Sequence, residues 1–270
     1  MFLSLLTSEL GRTGLKHIEE IKRDALTFHL IELRYRLIIS LAVIFVFFSV
    51  AFYFSADLIN LLKKPLIDSF PSQELSRLYF TGPLDVLFAS LRVAFLVGFI
   101  ASAPVWLYQF WKFVEPALYP RERRYLIPIF FASLLLFLGG LSFCYFLMLP
   151  VALEVLIKLG LDVGSPIITI TDYVSLLTTM MLGFGIIFET PVVLILLSLL
   201  GVIDAATLSR HRRGVFVVIL IISAIITPTI DPFNQLAMAI PTYFMYEVSI
   251  LVIRILGRKK KLTETSGETS

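Results

Sequence analysis

Six stretches of the chain are almost free of charge: Leu37–Phe54, Val86–Phe110, Leu126–Leu149, Tyr173–Leu200, Gly214–Ile230 and Pro232–Ile253. Charged and polar residues gather between them. A helix needs about 20 residues to cross a hydrocarbon core of about 30 Å, and lipid cannot satisfy open backbone groups, so each run predicts a membrane helix. An even number of crossings brings both chain ends to one side. The fifth run is short: from Gly214 to Pro228 it offers about 21 Å of helix at about 1.5 Å per residue. With its neighbour, reached through TPTIDPFNQ, it is expected to thin the bilayer locally.

Between the runs, PVALEVLIKLGL is apolar round most of its circumference with Glu154 and Lys158 four apart, which predicts a short interfacial helix. The segment from about Ser55 to Pro83 carries Pro65, Pro71 and Pro83 and is expected to form a cap with short helical pieces. No internal repeat at a fixed period is visible. Composition agrees: 58% of residues are hydrophobic and 24 are Phe, while 16% are charged, against about 25% in soluble domains. The opening MFLSLLTSEL lacks the pattern of a cleavable signal. The single cysteine, Cys144, lies in an apolar run and has no partner for an intramolecular disulfide.

The basic residues orient the spans. Arg12, Lys16, Lys22, Arg23, Arg34 and Arg36 precede the first, and Lys112, Arg121, Arg123 and Arg124 follow the second. Arg210, Arg212 and Arg213 precede the fifth, and Arg254, Arg258, Lys259, Lys260 and Lys261 follow the sixth. The opposite loops hold only Lys63, Lys64, Arg77 and Lys158. By the positive-inside rule both termini are predicted to be cytoplasmic. The net charge of +3 therefore reports topology and contact with anionic lipid, and gives no support to nucleic acid as a partner.

Catalytic and metal motifs are absent from the sequence: no His-Glu-x-x-His, no Gly-x-Ser-x-Gly, no phosphate loop and no Cys/His cluster. His17, His29 and His211 sit beside helix ends as polar surface residues. No enzyme activity and no cofactor are expected. The chemistry lies in acids. Glu189 interrupts FGIIFETPVVLILL, eleven residues before Leu200 and so about 16 Å deep. A charge at that depth costs about 2.5–3.5 kcal/mol on insertion scales, so the side chain must face something polar. Arg92 is nearer the boundary and can snorkel outward. In FHLIELRYRL, Glu32 and Arg36 are four apart on one helical face, a spacing that an ordinary ion pair also explains. The loop QFWKFVEPALYPRERRYL sets Glu115 and Glu122 among bases.

These residues carry a family resemblance. HLIELRYRL (29–37), KPLI (64–67), SAPVWLYQFWKFVEPALYPRERR (102–124), FGIIFETPVV (184–193), ITPTIDPFNQ (226–235) and IPTYFMYE (240–247) occur in the order in which similar segments occur in TatC, the polytopic core of the twin-arginine protein translocase. The resemblance implies an all-α membrane protein of six transmembrane helices in a concave cup. It would be a receptor for twin-arginine signal peptides of folded cargo, driven by the proton motive force in the inner membrane of a prokaryote. It also implies that Glu32 and Glu122 recognise the arginine pair, with Phe113 a sensitive aromatic beside them and Arg34 and Arg36 organising the acidic pocket or touching lipid headgroups. Glu189 is expected to dock a membrane helix of a TatA or TatB partner, and self-association is expected. Residues 1–27 form an N-terminal extension, 28–256 the membrane domain and 257–270 an unstructured tail. A secondary transporter using Glu189 as an ion site would show paired broken helices and repeats; a passive scaffold would bind no arginine pair.

Overall fold

The computed structural model describes residues 30–69, 78–118, 123, 126–161, 168–226 and 232–267. Regular structure among them is helical: α1 Leu30–Tyr53, α2 Ser55–Leu62, α3 Lys64–Ser69, α4 Pro83–Ala101, α5 Ala103–Val114, α6 Leu126–Phe143, α7 Leu149–Leu161, α8 Ile170–Phe188, α9 Thr190–Leu199, α10 Ala205–Arg210, α11 Arg212–Ile226 and α12 Pro232–Gly267. Extended chain pairs once among the described residues, where Tyr79 N–H donates to Ile168 O (3.0 Å) and Ile170 N–H to Tyr79 O (2.8 Å). Five helical stretches are long and apolar enough to cross a membrane: Leu30–Tyr53, Pro83–Ala101, Leu126–Lys158, Ile170–Leu199 and Gln235–Ile255. The expected fifth span is α11, whose 15 residues rise only about 22 Å. α12 stays helical past position 256, where the sequence suggested an unstructured tail, up to Gly267.

Proline sets the breaks. Pro104 cannot donate to the carbonyl four residues back, and α4 gives way to α5 at the fully buried Ser102. The Phe99 carbonyl is satisfied there by side chains, accepting from Ser102 Oγ (3.0 Å) and Trp106 Nε1 (3.1 Å). Pro191 divides α8 from α9 at Glu189 in the same way. Before Pro150 the strain is absorbed differently: a π-helical turn at Cys144–Met148 carries α6 into α7 without a break. The segment expected to lie on the interface therefore continues the third span. It buries Leu149, Ala152, Leu153 and Ile157 and packs on α3, because its apolar face meets the fully buried Leu66 side of the cap. Tyr145 and Tyr173 hydroxyls donate to the Leu61 and Leu62 carbonyls, tying the cap's first helix to α8 and the π turn.

The core lies where α4, α6 and α8 meet, with Val93, Leu96, Phe137, Leu177 and Phe184 excluded from solvent. A second cluster joins α10, α11 and α12 through Leu208, Ile219, Ala239, Tyr246 and Ile250. Elsewhere large apolar side chains face outward, such as Phe45, Tyr53, Leu135 and Ile225, as a lipid-facing surface requires. Close backbone approach at small residues holds membrane helices together. A Cβ on Gly140 would sit 2.7 Å from Phe184 O and 2.8 Å from Phe188 Cβ; on Gly185 it would sit 2.8 Å from the Phe137 ring. A Cβ on Gly98 would meet the Phe48 backbone of α1 at 2.6 Å.

Gly140→Val should therefore pry α6 from α8 and destabilise the fold by about 1–3 kcal/mol. The control is Gly139→Ala, where nothing lies within 4 Å. Thermal unfolding midpoints in detergent should fall clearly for the first and stay near the parent for the second.

Candidate functional site

The first turns of α1 project Glu32 and Arg36 from one face. Arg36 Nη2 donates to Glu32 Oε1 at 2.6 Å and Nε to the same oxygen at 3.1 Å. Both side chains are about four-fifths covered, at 18% and 20% exposure. The third nitrogen reaches another helix: Arg36 Nη1 donates to Gln109 Oε1 of α5 at 3.2 Å. One guanidinium thus fixes the carboxylate and ties α1 to α5, a task its planar fork suits and a lysine could not perform. Both Arg36 bonds land on Oε1; among the described residues none is donated to Glu32 Oε2.

The other expected site residues fall at different distances from this pair. Phe113, half-buried, lies one turn along α5 from Gln109, on the same side of the helix. Arg34 is exposed and sits on the far side of α1 from Glu32 and Arg36. Glu122 lies outside the described residues, while its neighbour Arg123 is exposed and close enough for its charge to act on Glu115. Gln109 was missed from the sequence; its only signal was the four-residue spacing to Phe113.

At the end of α5, Lys112 and Glu115 form an i, i+3 ion pair. The hydrogen bond from Lys112 holds the Glu115 carboxyl below its ordinary value, helped by the Arg123 and Arg36 charges. The same bond raises Lys112.

Glu189 occupies the break between α8 and α9. Its N–H donates to Ile186 O at 3.1 Å, and its carbonyl accepts from Val192 N and Val193 N at 3.0 Å each, so the backbone is satisfied despite Pro191. The side chain crosses to α6, where Ser133 Oγ, fully buried, donates to Glu189 Oε2 at 2.7 Å. Ser133 is the polar surface that the sequence required. Oε1 is buried without a hydrogen-bond partner among the described residues, so one more hydrogen bond can be made there. Glu247, the acid of the last span, is satisfied by Arg212 Nη2 at 2.7 Å and the Tyr243 hydroxyl at 3.0 Å. Arg92 is exposed, as a snorkelling side chain is. No group of three or more metal-ligating side chains occurs among the described residues.

Comparison with known proteins places these features in a family. The model of the family described as Sec-independent protein translocase protein (TatC) matches residues 28–241. The chain is 42% identical over 238 residues to the Sec-independent protein translocase protein TatC of Aquifex aeolicus, covering 87% of this chain and 97% of that one. It is 34% identical over 236 residues to the protein of the same name from Escherichia coli, covering 87% and 90%. A crystal structure described as twin arginine translocase receptor TatC superposes with a TM-score of 0.75 at 40% identity, covering 84% of this chain and 98% of that one.

The Lys112–Glu115 pair makes a signed prediction. Glu115 is depressed when folded, so its contribution is present above the unfolded carboxyl value and is lost as pH falls through the folded one. Lys112 is raised, so its contribution is present below the unfolded amine value and is lost as pH rises through the folded one. The pair therefore acts between about pH 4.3 and 10.4, with a small effect because both groups touch solvent. In Lys112→Gln the Glu115 carboxylate, followed by isotope-edited infrared titration, should protonate at higher pH than in the parent; an unmoved midpoint would exclude the pairing.

Proposed function

The chain belongs to the TatC family of Sec-independent protein translocase proteins, and from that premise we propose that it is the twin-arginine signal-peptide receptor of its translocase. The observation that carries this reading is Glu32, a carboxylate oriented by Arg36 and Gln109 with Oε2 unengaged among the described residues. A guanidinium makes paired, charge-assisted hydrogen bonds to a carboxylate that an ammonium cannot reproduce. Two adjacent arginines call for two acids, Glu32 and, on the loop beyond α5, Glu122. Phe113 offers an aromatic face to an arginine stem, and Arg34 and Arg36 organise the acids or meet lipid headgroups. Solved relatives at 40% and 41% identity are described as receptors.

In this reading the protein is a non-enzymatic platform with six spans in a concave cup. α11 is the short fifth span, and both termini lie in the cytoplasm of a prokaryote, as the distribution of basic residues supports. Partner helices of TatA or TatB gather at Glu189, whose Oε1 lacks a partner among the described residues and would take a hydrogen bond from a polar residue of the incoming helix. Copies of the chain associate within the assembly, and the proton motive force drives export of folded cargo.

Two measurements test the two acid sites separately. A peptide bearing Arg-Arg should be retained by the purified chain, and a Lys-Lys version should bind about tenfold or more weakly, the worth of a charge-assisted hydrogen bond at about 1.5–3 kcal/mol. Glu32→Ala with Glu122→Ala should abolish the difference, and equal retention of both peptides by the parent would refute the receptor reading. At the second site, Glu189→Ala should reduce crosslinks to a partner helix about fivefold, as expected for one hydrogen bond between membrane helices at about 1 kcal/mol. Peptide retention should stay unchanged in that variant. Undiminished crosslinks would place partner docking elsewhere.

A further inference from the structure

α5 carries a second set of chemistry on another of its faces. Tyr108, Trp111, Lys112 and Glu115 recur at i, i+3, i+4 and i+7, about a third of a turn round the helix from Gln109 and Phe113. With Arg123 and the first turn of α6 they line a cavity of about 270 Å³. The Tyr108 and Phe130 rings meet edge to face across it, at 6.0 Å between centroids.

Three features of this cavity specify a ligand. Its charged lining is two cations, Lys112 and Arg123, against one carboxylate, Glu115, so it favours an anion even with the Lys112–Glu115 pair formed. Trp111 is 3% exposed, its ring packed with Val192 and Leu196 of α9, and its Nε1–H is buried without an acceptor among the described residues. Such an orphan donor costs about 1–3 kcal/mol, which a bound acceptor would recover. Third, Ile127 of the lining begins an outward apolar stripe along α6: Ile127, Phe131, Leu135 and Leu138 are 70%, 60%, 71% and 43% exposed, at the i, i+4, i+8, i+11 spacing of one helix face. An acidic head beside an apolar wall is the outline of a lipid.

We propose that this cavity binds the headgroup of an anionic phospholipid. Phosphate oxygens accept from Lys112 and Arg123, Trp111 Nε1–H donates to a headgroup or ester oxygen, and an acyl chain lies along the Ile127–Leu138 stripe. Basic pockets between membrane helices suit such headgroups. An arginine of a signal peptide would meet Lys112 and Arg123 as like charges, and free phosphate would leave the stripe unused. The proposal stands independently of the receptor reading, since it uses neither Glu32 nor Glu122.

Quenching of tryptophan by lipids brominated on their acyl chains tests it, because the chain has only 2 Trp, Trp106 and Trp111. The full chain in detergent is titrated with brominated phosphatidylglycerol or brominated phosphatidylcholine. The anionic lipid should quench at about 25-fold lower concentration, at about fivefold for each of two cations near a lipid charge. Lys112→Gln with Arg123→Gln should erase that preference, Arg123→Gln alone should halve it in logarithmic terms, and Trp111→Phe should remove the saturable component. The phosphatidylcholine curve and the unfolding midpoint of each variant serve as the check on folding. Inorganic phosphate and a twin-arginine peptide should each fail to displace the anionic lipid. Equal quenching by the two lipids, an intact preference in the double variant, or displacement by phosphate or peptide alone would overturn the assignment.

Discussion

α6 and α8 meet closely at Gly140, which faces the Phe184 carbonyl, and at Gly185, which faces the Phe137 ring, so a methyl group on either would collide with the facing helix. In a bilayer this closeness matters more than apolarity, since lipid solvates a leucine as well as another helix does, and association rests on packing and shared polar contacts. The contact sets the separation at which Ser133 of α6 reaches Glu189 at the end of α8. It also sets Phe137 edge to face against Phe99 and Trp106, which anchors the α4–α5 break. From there the order passes outward: α5 carries Gln109, Gln109 accepts from Arg36, and Arg36 fixes Glu32. α1 is otherwise a helix with most of its apolar surface facing outward, held at Gly98 and at this arginine. The placement of Glu32 thus depends on packing some distance away.

Proline gives this scaffold its second constraint. Each proline within a span removes a donor where no water can replace it, so each site needs a local remedy. At the first break the Ser102 and Trp106 side chains donate to the Phe99 carbonyl, at the second the backbone bonds are reshaped around Glu189, and a π turn precedes Pro150. Glu189 lies where backbone bonding is already irregular, an arrangement well suited to offering a carboxyl oxygen to another membrane helix.

Much of this was legible in the chain. Five of the six apolar runs fall on helices long and apolar enough to cross a membrane, the short run before Pro228 coincides with α11, and the demand that Glu189 face something polar was met by Ser133. Glu154 and Lys158 do pair, at 2.6 Å. What periodicity could not show was pairing between distant elements: that α7 continues α6 and packs on the cap, that Gln109 receives Arg36, or that Trp111 is buried with no acceptor for its Nε1–H among the described residues. Those outcomes depend on which faces meet, and a helix that is apolar all round does not announce which face is inward. The motif order supplied the family where composition alone left a transporter and a scaffold open.

The central claim is that Glu32, held by one arginine of its own chain, grips another from a ligand with the help of Glu122. A structure of the chain in a lipid disc with a bound twin-arginine peptide tests it most directly. The account predicts the peptide's two guanidinium groups within hydrogen-bonding distance of these two carboxylates, with Arg36 still joined to Gln109. An arginine pair seated elsewhere, with Glu32 bonded to Arg36 alone and Glu122 unengaged, would contradict it.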